Sequence, residues 1–284
     1  MKTRVVSILF GIALLLTASP LFAAGNPNPT AQSAILLDAT SGKVLYSKNA
    51  WAIMAPASTT KIMTAIIALE RLNLNSTITI PTVAAAKEGS SMHLAAREKK
   101  TVRELLYGLM LVSGNDAATA LAIAISGSED KFARLMNQKA GQLGMKNTNF
   151  KNASGLPAIN HYTTAYDMAI LSRYAMKNGN FAKIVGTKVK EVSNAKPGTI
   201  RRLINHNKLL WRYQYTTGVK TGYTRNAGGC LVSTACYNGK KLIAVILKSN
   251  YIYDDSQKLF SYGFSKTNSG SKIASIRSAK PSRT

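Results

Sequence analysis

Pro56-Ala57-Ser58-Thr59-Thr60-Lys61-Ile62-Met63-Thr64-Ala65-Ile66-Ile67-Ala68-Leu69 is the stretch around which the rest of the chain is organised. Ile62, Ala65, Ile66 and Leu69 recur at the spacing of one helical face, which predicts a buried helix from Thr59 to Leu72 opened by Pro56-Ala57-Ser58. Ser58 and Lys61, at i and i+3, point to the same side of it. A serine hydroxyl is a poor nucleophile at neutral pH and needs a base within hydrogen-bond reach. The apolar neighbours Ile62, Met63 and Ala65 imply a partly buried turn. Burial disfavours a charged amine, so a lysine there is poised as that base, the more so with another cation such as Lys220 nearby. A serine at a helix start also has main-chain N–H groups aimed at an incoming carbonyl oxygen. Alone, the S-x-x-K spacing is cheap, and it reads equally as a helix cap followed by a solvated lysine.

Upstream, Ala34-Ile35-Leu36-Leu37-Asp38 and Lys43-Val44-Leu45-Tyr46 flank Ala39-Thr40-Ser41-Gly42, a hairpin signal. Downstream, Asn73 to Lys100 is polar and poor in helix signals. Thr101-Val102-Arg103-Glu104 reads as a capping box ahead of the apolar helix Leu105, Leu106, Leu109, Met110. Helices are predicted over Asp116 to Ile125, Glu129 to Leu143 and Thr164 to Lys177. After Gly179 the texture turns to strands: Lys188 to Val192, Val219 to Thr221, Gly228 to Ala235 and Lys241 to Leu247. A helix from Asp255 to Tyr262 closes the fold. The expectation is an α+β architecture, one mostly antiparallel sheet covered by helices with a helical subdomain. From Ser265 on, the chain is basic, without an acid, and reads as a disordered tail.

Two further short motifs fall in order after the first. Ser113-Gly114-Asn115 lies where one apolar helix stops and the next starts, a junction that exposes side chains at a cleft. Lys220-Thr221-Gly222 lies in Gly218-Val219-Lys220-Thr221-Gly222-Tyr223, where the glycines suit a strand edge approached closely by another chain. A substrate along that edge would take main-chain hydrogen bonds, with Lys220 and Thr221 at its carboxylate. Alone, the first reads as a turn and the second as a charged guarded edge. Together the three supply a nucleophile, an amine beside it, a second hydroxyl and amide, and a strand-borne cation. That is equipment for acyl transfer without histidine.

The ends and the composition bound the setting. Met1-Lys2-Thr3-Arg4, the apolar run Val5 to Leu16 and the small residues around Ala23-Ala24-Gly25 read as a secretory signal peptide over residues 1–25, with an uncleaved anchor as the alternative. Residues 26–264 are the expected catalytic domain and 265–284 the tail. Lys and Arg number 37 against 12 Asp and Glu, a net charge of +25. Such an excess favours anionic surroundings, and for an exported chain these are membrane or cell-wall polymers before nucleic acid. Cys230 and Cys236 on one extended strand would lie about 20 Å apart, too far for a disulfide; two buried thiols are expected. His93, His161 and His206 are scattered, so no metal site is expected.

The three motifs are those of serine penicillin-binding proteins and β-lactamases. From about Ala34 to Phe264 the chain more closely resembles low-molecular-mass D-alanyl-D-alanine carboxypeptidases. Beyond the motifs, Gly89-Ser90-Ser91-Met92, Asn115-Asp116-Ala117-Ala118, Gly155-Leu156-Pro157, His161-Tyr162-Thr163-Thr164-Ala165-Tyr166-Asp167 and Asn207-Lys208-Leu209-Leu210 carry that likeness. The resemblance implies a β-lactamase/transpeptidase-like fold and no cofactor. It implies Ser58 as nucleophile, Lys61 as base, Ser113 as proton relay and Asn115 as holder of the acyl-side amide. Lys220, Thr221 and Gly222 would belong to the carboxylate site, with the Ser58 and Tyr223 N–H groups as oxyanion hole. The implied partners are peptidoglycan stem peptides and β-lactam antibiotics as covalent inhibitors. The chain departs from relatives in having Tyr223 where many have His, and in lacking an arginine between Asn250 and Asp255. An endopeptidase of the same family and a non-catalytic wall-binding protein stay open as alternatives.

Overall fold

A computed structural model describes residues 25–278, with side chains described to 266. The signal-peptide reading of residues 1–25 lies almost wholly outside the described residues.

Two apolar stretches decide the centre of the molecule. In β1 (Ser33–Asp38) and in residues 242–247 of β9 (Lys240–Ser249) nearly every side chain is buried, and alternation sends neighbours to opposite faces of the sheet. Ile35, Leu37, Ile243 and Val245 face one apolar cluster. Ala34, Leu36, Ala244 and Ile246 face another. A sheet buried on both sides needs a cover on each. The cover on the second face is α9 (Ile252–Ser278), through Leu259, Phe260 and Phe264. The first face carries the helical block: α1 (Lys61–Arg71), α3 (Val102–Leu111), α4 (Asn115–Ser126), α5 (Glu129–Gln142), α6 (Ala165–Ala175) and α7 (Gly179–Gly186).

With β2 (Val44–Lys48), β7 (Thr216–Thr224) and β8 (Gly228–Tyr237), the sheet runs β2-β1-β9-β8-β7, antiparallel throughout. The first hairpin thus forms as the turn Ala39 to Gly42 predicts. β7 is left at one edge of the sheet. Two small sheets flank the helical block: β3 (Thr77–Thr79) with β4 (Lys99–Thr101), and β5 (Val189–Ser193) with β6 (Ile200–Ile204). Short α2 (Thr82–Ala85) and α8 (Leu209–Arg212) complete the elements.

The capping box holds: Thr101 Oγ1 accepts from the Glu104 N–H at 3.2 Å, and the Glu104 carboxylate accepts from the Thr101 N–H at 2.9 Å. Three expectations are corrected. Residues 179–186 form a helix ahead of the β-rich part; Asn178 Oδ1 caps it, and Phe181, Ile184 and Val185 are its buried side chains. Glycine at both of its ends hides that short i, i+3, i+4 pattern. α9 continues to Ser278, past the Ser265 at which the composition predicts a disordered tail; no proline interrupts the chain before Pro281, so nothing local stops the ladder. Both thiols are free, yet only Cys230 is fully buried, because Cys236 lies near the end of β8.

Candidate active site

A 3₁₀ turn, Ala57–Thr60, leads directly into α1, so Ser58 stands one turn ahead of Lys61. Ala57 enters that turn at φ +47°, a left-handed conformation costly for a residue with a Cβ. Lys61 is 0 % exposed. Its Nζ lies 3.0 Å from Ser58 Oγ, 2.8 Å from Asn115 Oδ1 and 2.6 Å from the Ser154 main-chain oxygen. Burial, with the charge of Lys220 added, pushes this amine well below the ordinary lysine range, against the pull of Asp116. A neutral amine keeps two N–H donors, which Asn115 Oδ1 and the Ser154 oxygen take. Its lone pair is then left for the Ser58 hydroxyl. That is how a base is poised beside a nucleophile.

Ser113 bridges α3 and α4 at φ +64°. It lines the same cleft as Ser58, and its buried Oγ has no hydrogen-bond partner among the described residues. A hydroxyl left so costs about 1–3 kcal/mol, which a polar group entering the cleft would recover. Asn115 has two partners without substrate: its Nδ2 donates one hydrogen bond to the Glu88 oxygen at 2.7 Å, leaving its second N–H, while Oδ1 holds Lys61. Next to it Asp116, 0 % exposed, accepts from Ser91 Oγ at 2.6 Å, from the Met92 and Leu94 N–H groups at 3.1 Å and from the Ala117 N–H at 2.8 Å. One carboxylate therefore pins the Ser91 to Leu94 loop onto the start of α4.

β7 forms the opposite wall. Lys220 is buried, its Nζ donating to the Thr221 oxygen at 3.0 Å, and burial brings its amine down to about 7. Thr221 and Tyr223 alternate to the cleft side, Tyr223 being 74 % exposed. At Gly222 a Cβ would sit 2.9 Å from Ser58 N and 3.2 Å from Thr59 N. Only glycine lets the strand pass the serine this closely. Gly222→Ala is therefore expected to push β7 off the 3₁₀ turn and lower kcat/KM by about 10²-fold, the cost of an ångström of misplacement; steady-state kinetics with unchanged thermal stability would check it.

The cleft between these walls encloses about 640 Å³. The structure brings together Ser58, Lys61, Ser113, Asn115, Lys220, Thr221, Gly222 and Tyr223, every residue singled out in the sequence. It also adds residues to which the sequence analysis gives no role in the site. The carbonyl of Ser154 belongs to a loop tied by Asn152 Oδ1, which accepts from the Gly155 N–H at 2.7 Å. His161 Nε2 lies 3.1 Å from Thr60 Oγ1, and burial takes its imidazole down to about 4, so it is a neutral strut under the turn. On α8, Arg212 lines the cleft beside Tyr253, its guanidinium 5.1 Å from the ring. No local signal marks Ser154 or Arg212. The turn and the four-residue helix that carry them have no periodicity. Among the described residues no cluster of metal-ligating side chains occurs.

The chain matches peptidase family S11, D-alanyl-D-alanine carboxypeptidase, over residues 21–250. It is 40 % identical over 257 residues to the D-alanyl-D-alanine carboxypeptidase DacF of Bacillus subtilis, covering 87 % of this chain and 66 % of that protein. It thus spans about two thirds of that relative's length. To the D-alanyl-D-alanine carboxypeptidase of Streptomyces sp. strain K15 it is 37 % identical over 268 residues, 88 % of this chain and 92 % of the other. The crystal structure of the Streptomyces K15 DD-transpeptidase superposes with a TM-score of 0.80 at 36 % identity, covering 85 % of this chain and 99 % of that one.

Proposed function

The chain belongs to the D-alanyl-D-alanine carboxypeptidase family of serine peptidases, and on that premise we propose that it removes the terminal D-alanine from peptidoglycan stem peptides through an acyl-enzyme on Ser58. Ser58 Oγ attacks the carbonyl carbon of the penultimate D-alanine as its proton passes to Lys61 Nζ. The oxyanion is held by the N–H groups of Ser58 and Tyr223. The peptide C–N bond breaks as the proton held by Lys61 passes, relayed by Ser113 Oγ, to the departing amine, which restores Lys61 to its neutral form. Water then attacks the ester, releasing the shortened peptide and returning the proton to Ser58. Asn115 holds the acyl-side amide, and Lys220 and Thr221 hold the terminal carboxylate beside Gly222. The observation that carries this reading is the fully buried Lys61 amine, 3.0 Å from Ser58 Oγ and held by two other acceptors.

Residues 26–264 form the catalytic domain. The protein is exported on residues 1–25 to the periplasm or another extracytoplasmic space, and β-lactams acylate the same serine. Incubation with a stem pentapeptide and with cross-linked muropeptides, followed by chromatography, tests the reading. Release of D-alanine from the pentapeptide supports it. Cleavage of cross-links alone makes the protein an endopeptidase, and silence on both makes it a non-catalytic wall-binding protein.

Arg212 favours the carboxypeptidase, since a guanidinium in the cleft gives the terminal carboxylate a second cation with forked donors. Arg212→Ala is expected to raise KM for the pentapeptide about tenfold, or about 1.4 kcal/mol, with little change in kcat and little effect on a substrate amidated at its C-terminus. Equal KM values for the variant and the parent would remove Arg212 from the site.

Binding is also linked to pH through Lys220. Its amine, at about 7 in the free site, loses its charge as pH rises through that value, while a bound carboxylate favours the charged form. KM for the pentapeptide is therefore expected to climb above about pH 7 with proton uptake on binding, read by calorimetry in buffers of different ionisation enthalpy. An amidated peptide should show neither effect.

A further inference from the structure

The β5–β6 hairpin stands outside the main sheet, with Val189 opposite Ile204, Glu191 opposite Arg202 and Ser193 opposite Ile200. Strand alternation places these pairs on one side and Val192 and Leu203 on the other. The inner side is fastened. Val192 and Leu203 are buried, the Lys190 ammonium lies 5.5 Å from the Tyr107 ring, and Arg201 grips the Glu98 carboxylate at 2.6 and 2.8 Å. The outer side is bare except at its end, where the Ser193 hydroxyl accepts from Lys100 Nζ at 2.6 Å and donates to Glu104 Oε1 at 2.8 Å. Val189, Ile200 and Ile204 are 39, 61 and 48 % exposed, and Trp211 on neighbouring α8 is 47 % exposed with the Lys188 ammonium 5.9 Å from its ring.

The charge of this region is as one-sided as its apolar exposure. Residues 188–212 hold seven cations and one acid, Glu191. Arg201 is committed to Glu98, and Glu191 faces Arg202. Lys190 lies over the Tyr107 ring and Arg212 lines the cleft, which leaves Lys188, Lys196, Arg202 and Lys208 exposed. A hydrated anionic polymer would reward the cations and gain nothing from Val189, Ile200, Ile204 and Trp211. The surface of an anionic bilayer rewards both: headgroups attract the cations, and the boundary of the acyl region takes small apolar side chains and tryptophan.

We propose that the outer face of the β5–β6 hairpin, with Trp211, is a peripheral docking surface for anionic phospholipid membrane. The proposal rests on the exported location proposed above and not on the catalytic assignments. Because His206 and Arg212, which come after β6, line the cleft, docking would hold the cleft mouth near headgroup level. A basic tail shared by all variants cannot mimic a face-specific effect.

Sedimentation of the purified protein with vesicles tests it without substrate. Vesicles of equal phosphatidylglycerol and phosphatidylcholine should retain the protein, and phosphatidylcholine alone should not. The Val189→Ser/Ile200→Ser/Ile204→Ser variant should lose about tenfold in vesicle affinity, about 1.4 kcal/mol, with pentapeptide turnover intact. A control, Lys240→Gln/Lys241→Gln/Lys258→Gln, which removes three exposed charges elsewhere, should lose about twofold or less. In a Trp51→Phe background Trp211 is the remaining tryptophan, and its emission should shift to the blue on phosphatidylglycerol vesicles. Undiminished vesicle binding by the serine variant, or an unshifted Trp211, overturns the proposal. So does retention by isolated cell wall but not by vesicles.

Discussion

Ser58→Ala and Lys61→Ala are each expected to lower turnover of a stem pentapeptide by about 10⁴-fold or more, and the double variant to be no worse than either single one. Nucleophile and base act as one unit, so removing one leaves the other with nothing to do. The structure gives this its physical form. The Lys61 amine is held at 0 % exposure by Asn115 Oδ1 and the Ser154 oxygen, and its remaining neighbour is Ser58 Oγ. Lys61→Ala leaves both acceptors buried without a donor, at about 1–3 kcal/mol each, so a lower melting temperature should accompany its lost activity. Ser58→Ala should fold with nearly unchanged stability. Discontinuous assay of released D-alanine, with melting curves alongside, separates the two effects. Additive losses in the double variant would show that Lys61 is not the base for Ser58.

The second large effect concerns the fate of the acyl-enzyme. A penicillin carries a strained amide and a carboxylate suited to Lys220 and Thr221, so Ser58 should open it. Release from class A β-lactamases depends on a glutamate that activates water. Here Glu129 is committed to Lys87 and accepts from Thr119 Oγ1 at 3.1 Å, and Glu191 lies on the β5–β6 hairpin opposite Arg202. Neither lines the cleft; among the described residues the carboxylate that does is Asp254, on the first turn of α9 beside Tyr253. With neither glutamate at the ester, and with the amine released from the opened penicillin still tethered to the acyl group where a departed D-alanine makes room for water, labelled penicillin is expected to stay on Ser58 for minutes or longer. Intact-mass spectrometry should find one adduct that is lost in Ser58→Ala. Rapid hydrolysis without an accumulating adduct would mean that a water-activating group does reach the ester, with Asp254→Asn the first variant to examine.

Much of the architecture was legible in local pattern. The β1–β2 hairpin was written in its turn, α1 and α3 in an apolar stripe and a capping box, and β9 in the unbroken apolar run from Leu242 to Leu247. The misses have local causes as well. α7 is eight residues bounded by glycines. β6 shows the solvent Ile200, Arg202 and Ile204, so its alternation runs against the usual polar-out rule. Past Phe264 the sequence turns mostly to Ser, Lys, Asn and Gly, which gives a periodicity reading little to track in α9.

The sequence by itself determined that Ser58 and Lys61 share one side of one helical turn, because three residues of helix fix their separation whatever surrounds them. It also determined the order of the three motifs and the identity of the family. Only the tertiary structure decided that Lys61 is dry. Its two other partners, Asn115 Oδ1 and the Ser154 oxygen, come from 54 and 93 residues along the chain, and the depressed amine is a product of that enclosure rather than of the motif. Only the fold brings Gly222 within contact of Ser58 and Arg212 into the cleft. Helical spacing is local geometry, written in a few successive residues. Burial, charge proximity and the meeting of distant loops arise from packing, which no short stretch of sequence contains.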